Sequence, residues 1–147
     1  MQYRQLGNSS LKLPVLSFGT WQLGDPACWT PDNRPQDVVR AALDQGINCF
    51  DCAESYADGE SEAALGRALG KDRAKAIIAT KVSRENLAPD RVVAACEGSL
   101  RRLGTETIDL YQVHWPNPEI PFAETYAALE RLRQDGKIRE IGVSNFG

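Results

Sequence analysis

The stretch Gly46-Ile47-Asn48-Cys49-Phe50-Asp51-Cys52-Ala53-Glu54-Ser55-Tyr56 decides how this chain is read. A glycine of the kind that stops a helix is followed by a short apolar run, then an acid, then a phenol. The run predicts a strand over residues 47–51 with Asp51 at its C-terminal end. Side chains alternate across a strand, so Asp51 shares a face with Cys49, and Cys52 points to the other face.

Upstream of this stretch, Pro35 suits the first turn of a helix, and Val38, Val39, Ala42 and Leu43 recur at helical spacing up to Gly46. Downstream, residues 61–69 predict a second helix. Glu62 lies in its first turn, where a negative charge suits the helix dipole; Leu65, Ala68 and Leu69 share one face, and Gly70 follows. A strand over 76–82 comes next. Pro89 then starts a helix whose apolar stripe is Val92, Val93, Cys96, Leu100 and Leu103, ended by Gly104. Residues 108–113 predict a strand, Phe122, Tyr126, Leu129 and Leu132 the stripe of a fourth helix closed by Gly136, and residues 138–143 a last strand.

At the N-terminus, the turn formers Gly7-Asn8-Ser9-Ser10 separate short runs at 3–6 and 11–13, which predicts a hairpin capping the fold over residues 1–14. Residues 15–19 read as the first core strand. Residues 22–34, rich in Pro, Asp, Gly and Asn, read as a loop long enough to be functional.

Strand and helix alternate after the hairpin, which is the pattern of βαβ units and a parallel sheet in one domain, residues 1–147. The polar residues expected at strand ends, Asp51, Lys81, His114 and Ser144, are 30, 33 and 30 positions apart. One βα unit takes about 30 residues, so each unit delivers one polar group to the C-terminal rim of the sheet. Parallel α/β proteins place their sites at that rim. Strand ends often border solvent and are polar for that reason alone, but four in phase weigh against coincidence.

The totals narrow the chemistry. A net charge of −3 over 147 residues, with no basic run longer than Arg101-Arg102, argues against nucleic acid or an anionic membrane as partner. No apolar run reaches the ~18 residues of a membrane span, and the N-terminus lacks a signal-peptide core, so the expectation is a cytoplasmic protein acting on a small molecule. Cys49 and Cys52 form a C-x-x-C spacing, but on opposite faces; with Cys28 and Cys96 they read as packing cysteines, and a single histidine leaves a metal short of ligands.

Phenols are weak proton donors at neutral pH, and an adjacent ammonium favours the phenolate. Lys81 can be that neighbour to Tyr56, with Asp51 holding the ammonium in place. His114 can donate a hydrogen bond to a carbonyl oxygen or share a proton with Tyr56. This set holds no strong nucleophile. It suits protonation of a developing alkoxide while a cofactor supplies hydride, which side chains cannot do.

Several segments together carry a family resemblance: Phe18-Gly19-Thr20-Trp21, the stretch from Gly46 to Tyr56, Gly59-Glu60-Ser61-Glu62, Thr80-Lys81, Asp109-Leu110-Tyr111-Gln112-Val113-His114-Trp115, and Gly142-Val143-Ser144-Asn145-Phe146. With them the chain resembles the aldo-keto reductase superfamily, most closely its potassium-channel β-subunit-like and bacterial stress-protein branch. The resemblance covers essentially the whole chain. It implies NADPH-dependent reduction of aldehydes or ketones, with Tyr56 as general acid, Lys81 and Asp51 tuning it, and His114 orienting the carbonyl. It assigns Gly19, Thr20, Trp21 and Asp51 to the nicotinamide side of an NADP(H) pocket, with Ser144 and Asn145 bonding the carboxamide. Trp21, Trp29 and Trp115, with Tyr56 and His114, are the expected substrate-side residues; for Trp29 core packing is an equal alternative. Cys52 stands where the family usually has Thr, and Ala57-Asp58-Gly59 replaces a commoner Gly-x-Gly.

The implied fold is α/β: the N-terminal half of a (β/α)8 TIM barrel, five parallel strands and four helices preceded by a β-hairpin, with the half barrel over residues 15–147. A whole barrel takes about 250 residues. The family's nicotinamide-stacking aromatic and phosphate-binding loops belong to its other half. Open edges on the first and fifth strands and an apolar inner face then predict self-association. The alternative to a reductase, whole or truncated, is a non-catalytic half barrel that works as an oligomerisation or binding module.

Overall fold

A computed structural model describes residues 1–30 and 33–147. The hairpin pairs β1 (Tyr3–Gln5) antiparallel to β2 (Lys12–Pro14), with Tyr3 opposite Pro14. Tyr3 Oη donates to Asn48 Oδ1 at 3.2 Å. Asn48 immediately precedes the next strand but one, so the hairpin sits against the N-terminal rim of the main sheet.

That sheet contains β3 (Phe18–Gly19), β4 (Cys49–Asp51), β5 (Ile77–Val82), β6 (Ile108–Val113) and β7 (Ile138–Val143), in the order β3-β4-β5-β6-β7 and all parallel. Helices α1 (Pro35–Asp44), α2 (Glu60–Leu69), α3 (Pro89–Leu103) and α4 (Phe122–Gln134) make the crossovers. These are the five strands and four helices of half a (β/α)8 barrel, with β3 and β7 as its edges. No helix among the described residues is long and apolar enough to cross a membrane.

The core lies between sheet and helices. Phe50, Ile78, Val82, Tyr111 and Val113 from the strands meet Val39, Leu65, Val92, Cys96, Leu100, Leu129 and Leu132 from the helices. The opposite face follows from register: Asp51 pairs Ala79, Lys81 pairs Gln112, Leu110 pairs Glu140, and Gln112 pairs Gly142. Paired residues of a parallel ladder share a face, so the inner face carries Asp51, Lys81, Gln112 and Glu140. The expected apolar inner face is corrected accordingly. Its apolar members Cys49, Ala79 and Leu110 are buried, and Asp51, Gln112 and Glu140 are left partly accessible, with Ile77 a partly accessible apolar residue at the start of β5.

Other expectations change as well, and the strand expected over residues 47–51 is confined to Cys49–Asp51. The first core strand shrinks from residues 15–19 to Phe18–Gly19, because Val15 N–H donates to Gln2 O at 3.0 Å and ties that backbone to the hairpin; Val15 and Leu16 are exposed. The loop over 22–34 contains two short 3-10 turns, Trp21–Gly24 and Pro26–Cys28, and a bridge between Thr30 and Asn33; Pro31 and Asp32 lie outside the described residues. In α4 the buried stripe is Thr125, Ala128, Leu129 and Leu132, while Phe122 and Tyr126 face outward beside the β7 edge. Cys49, Cys52 and Cys96 are buried free thiols, and burial pushes Cys52 and Cys96 up to about 12, as suits packing residues, whereas Cys28 is exposed in the loop and the packing reading does not hold for it.

Glu62 differs most from its reading as a first-turn charge. It is fully buried, accepts from Thr80 Oγ1 at 2.6 Å, and takes both Nε and Nη2 of Arg102 at 2.7 Å on one oxygen. A buried carboxylate is tolerable only when paired and hydrogen-bonded in this way. Arg102 also lies over Gly59, whose φ is +89°; a Cβ there would stand 2.6 Å from the Arg102 side chain. One ion pair therefore joins α2, α3, β5 and the loop before α2. Arg102→Met should leave Glu62 charged without its partner and lower stability by about 3 kcal/mol, read as a fall in urea midpoint at unchanged slope. A midpoint equal to wild type would remove this pair from the account of the fold.

Candidate active site

The site is built around Lys81. Register sets β5 so that Lys81 stands two residues beyond the partner of Asp51, near the C-terminal rim. Its Nζ lies 2.8 Å from Asp51 Oδ1, donates to Cys52 O at 2.7 Å and to Tyr56 Oη at 3.3 Å. An ammonium has three protons to donate, and here each has an acceptor. The side chain is 7% exposed, so the charge is held by these partners and not by bulk water.

Tyr56 reaches Lys81 because the chain turns sharply after β4. Tyr56 N–H donates to Ala53 O at 3.1 Å, and Ala57, Asp58 and Gly59 then adopt φ of 50°, 51° and 89°. Two consecutive non-glycine residues in the left-handed region carry a backbone cost. The turn is clamped from the side by Glu54, whose Oε1 accepts from Ser83 N–H at 2.7 Å and Asn86 Nδ2 at 2.9 Å.

His114 follows β6, its N–H bonded to Val82 O at 3.0 Å. Its ring meets the Tyr56 ring edge-on, centroids 5.7 Å apart at 81°, and its Nδ1 lies 3.4 Å from Ser55 Oγ. Partial burial lowers the affinity of this imidazole for a proton, and the Lys81 ammonium lowers it further. At neutral pH it is therefore an uncharged ring that can donate one N–H.

The remaining predicted residues divide. Gly19 pairs with Asp51, with open space where a Cβ would stand. Trp21, 59% exposed, and Trp115, 51% exposed and stacked beside His114, flank the rim. Ser144 N–H bonds Val113 O, and Asn145 Nδ2 donates to His114 O at 2.8 Å and Ser144 Oγ at 2.9 Å. Thr20 is not brought to the rim surface: it is fully buried, and both its N–H and its hydroxyl donate to Asp51 O. Its part is to hold the Asp51 backbone from behind. Trp29 packs against the core and donates its indole N–H to Gln22 O, which is the packing alternative.

Glu54 and Ser55 were not singled out by sequence. Both lie in the stretch that organises the chain, yet neither has a spacing that marks it. A groove of about 620 Å³, lined by Leu100, Thr105, Thr107 and Lys137 among others, opens at the opposite rim, remote from these groups.

A parallel βα half barrel with Asp, Tyr, Lys and His gathered at its C-terminal rim defines the class: a barrel protein equipped for proton transfer. The chain belongs to the aldo/keto reductase family, whose pattern matches residues 15–147. It is 39% identical over 158 residues to the aldo-keto reductase YhdN of Bacillus subtilis, covering 99% of this chain and 47% of that protein. It is 41% identical over 141 residues to the methylglyoxal reductase YeaE of Escherichia coli, covering 95% and 48%. The crystal structure of an aldo-keto reductase from Klebsiella pneumoniae in complex with NADPH superposes with a TM-score of 0.82 at 37% identity, covering 92% of this chain and 46% of that one. The chain spans about half the length of the curated relatives it matches.

Because His114 is the only histidine, its titration is readable in a proton spectrum without assignment. The midpoint should fall below the ordinary 6.5. Lys81→Met removes one of the two effects that oppose the imidazolium, so the midpoint should rise. A wild-type midpoint at or above 6.5, or no movement in the variant, would contradict the placement of the ring beside the ammonium.

Proposed function

We propose that this chain forms the acid–base part of an NADPH-dependent carbonyl reductase acting on aldehydes or ketones. The observation that carries this reading is the Lys81 ammonium, bonded at once to Asp51 Oδ1, Cys52 O and Tyr56 Oη. The Tyr56 hydroxyl passes its proton to the substrate oxygen as that oxygen gains negative charge. Lys81 stabilises the phenolate left behind, and Asp51 offsets the desolvation of Lys81. Neutral His114 donates its ring N–H to the same substrate oxygen. Trp21 and Trp115 offer flat aromatic walls that favour an apolar or aromatic substituent.

The residues at the rim fit a nicotinamide. Asn145 commits its amide nitrogen to His114 O and Ser144 Oγ, which leaves its carbonyl oxygen as an acceptor for a carboxamide N–H. Gly19 leaves the flank of Asp51 open, and Trp21 stands exposed next to it. Ser144, Asn145, Gly19, Trp21 and Asp51 are the residues that would hold the group. When bound, it supplies the hydride that no side chain can. Support comes from YeaE, a methylglyoxal reductase, and from the Klebsiella structure with NADPH.

Methylglyoxal-dependent NADPH oxidation should be detectable with the chain, and Tyr56→Phe should lower kcat about 10²-fold or more with KM little changed. Turnover that survives Tyr56→Phe undiminished would sink the assignment of the general acid. Absence of any NADPH fluorescence change at millimolar cofactor would sink reductase activity by this chain alone.

One observation favours a second reading, a binding or self-associating half barrel in which residues 1–14 cap one end. Phe122, Tyr126, Val143 and Phe146 are exposed on the β7 side, with the Phe122 and Phe146 rings 5.4 Å apart. Together with an unpaired parallel edge they form a surface suited to a second copy. Light scattering should then give a mass above that of one chain, reduced by Phe146→Lys. A single-chain mass at every concentration rules this reading out.

A further inference from the structure

The placement of the His114 ring is settled by its surroundings. Its backbone N–H is bonded to Val82 O, its carbonyl accepts from Asn145 Nδ2, and its ring lies between Tyr56 and Trp115. None of these contacts decides which ring nitrogen carries the proton. A neutral imidazole has one donor nitrogen and one acceptor nitrogen, and a hydrogen bond to one of them selects the tautomer. A carbonyl oxygen only accepts, so the nitrogen turned to a substrate must be the one that bears hydrogen.

Among the described residues, the ring has one hydrogen-bond partner: Ser55 Oγ, 3.4 Å from Nδ1. Ser55 is well placed to act as a fixed donor. Its backbone sits at φ −78° and ψ −10° between Glu54, clamped to Ser83 and Asn86, and Tyr56, whose N–H is bonded to Ala53 O. Its hydroxyl has no other acceptor among the described residues. If Nδ1 carried the proton instead, Nε2 would present a lone pair to the lone pairs of a carbonyl oxygen.

We propose that the Ser55 hydroxyl donates to His114 Nδ1 and thereby holds the imidazole as its Nε2–H tautomer, which makes Ser55 a positioning residue for recognition of the substrate oxygen. The use of the N–H rests on the reductase reading, whereas the tautomer itself does not. Four charged groups bear on the ring, Lys81, Asp51, Glu54 and Glu85, and none of them is hydrogen-bonded to it. The choice of tautomer therefore falls to the neutral hydroxyl.

The single histidine makes the test direct. Long-range proton–nitrogen correlation spectra of the nitrogen-15-labelled chain, recorded at about pH 8 where the ring is neutral, distinguish a bare from a protonated ring nitrogen by chemical shift. Wild type should show a bare Nδ1 and a protonated Nε2. Ser55→Ala should move both shifts toward the averaged positions of exchanging tautomers, and Ser55→Thr, which keeps the hydroxyl, should restore the wild-type pattern. A protonated Nδ1 in wild type, or the same pattern in wild type and Ser55→Ala, overturns the proposal. If the tautomer depends on Ser55 but methylglyoxal-dependent NADPH oxidation is absent, the tautomer assignment stands, and the reductase reading falls together with the use of the N–H toward a substrate oxygen.

Discussion

A single desolvated charge, the Lys81 ammonium, sets the shape of the C-terminal rim. Removing such an ion from water costs several kcal/mol unless its protons are taken up by well-placed acceptors. All three acceptors come from one short segment, Asp51, Cys52 and Tyr56. The chain leaving β4 must therefore fold back over Lys81 instead of running directly into α2. The parallel register between β4 and β5 sets the level at which this happens. The arrangement of the rim and the solvation of the lysine are the same constraint.

The fold-back is held from both sides. On one side the buried Glu62, paired with Arg102 and hydrogen-bonded to Thr80, anchors the start of α2, and the Arg102 side chain occupies the space that a Cβ on Gly59 would need. On the other side Glu54 fastens the turn to the segment after β5. Ser61 extends the brace to the rim: its hydroxyl donates to Trp21 O and accepts from Gly24 N–H, so the first turn of α2 also positions the exposed Trp21. The left-handed residues Ala57 and Asp58 lie between these supports. Strain there is sustained by the network around it.

Much of the fold could be read from local signals. α3 runs from Pro89 to Leu103 as expected, because proline at its first turn and Gly104 in the left-handed conformation are punctuation that needs no tertiary information. β6 and β7 match the expected 108–113 and 138–143. The 30-residue phasing of Asp51, Lys81 and His114 brought them to one rim for a topological reason. Elsewhere one pattern fitted two structures. An apolar run at 15–19 looks the same whether its backbone pairs with β4 or with Gln2. In α4 the helical period suits Phe122 and Tyr126 as well as Thr125 and Ala128, and only packing chose between adjacent stripes. A glutamate in a first turn reads identically whether solvated or, like Glu62, fully buried.

By itself the sequence determined the order of the elements, the parallel alternation of strand and helix, and the rim at which its ionisable groups gather. Those features depend on periodicity and turn chemistry, which act over a few residues. Only the tertiary structure decided the partners: Lys81 with Tyr56, Glu62 with Arg102, Ser55 with His114, and Thr20 turned inward to Asp51 O. A hydrogen bond exists or fails over a few tenths of an ångström between residues far apart in the chain, and no spacing along a single sequence carries that distance.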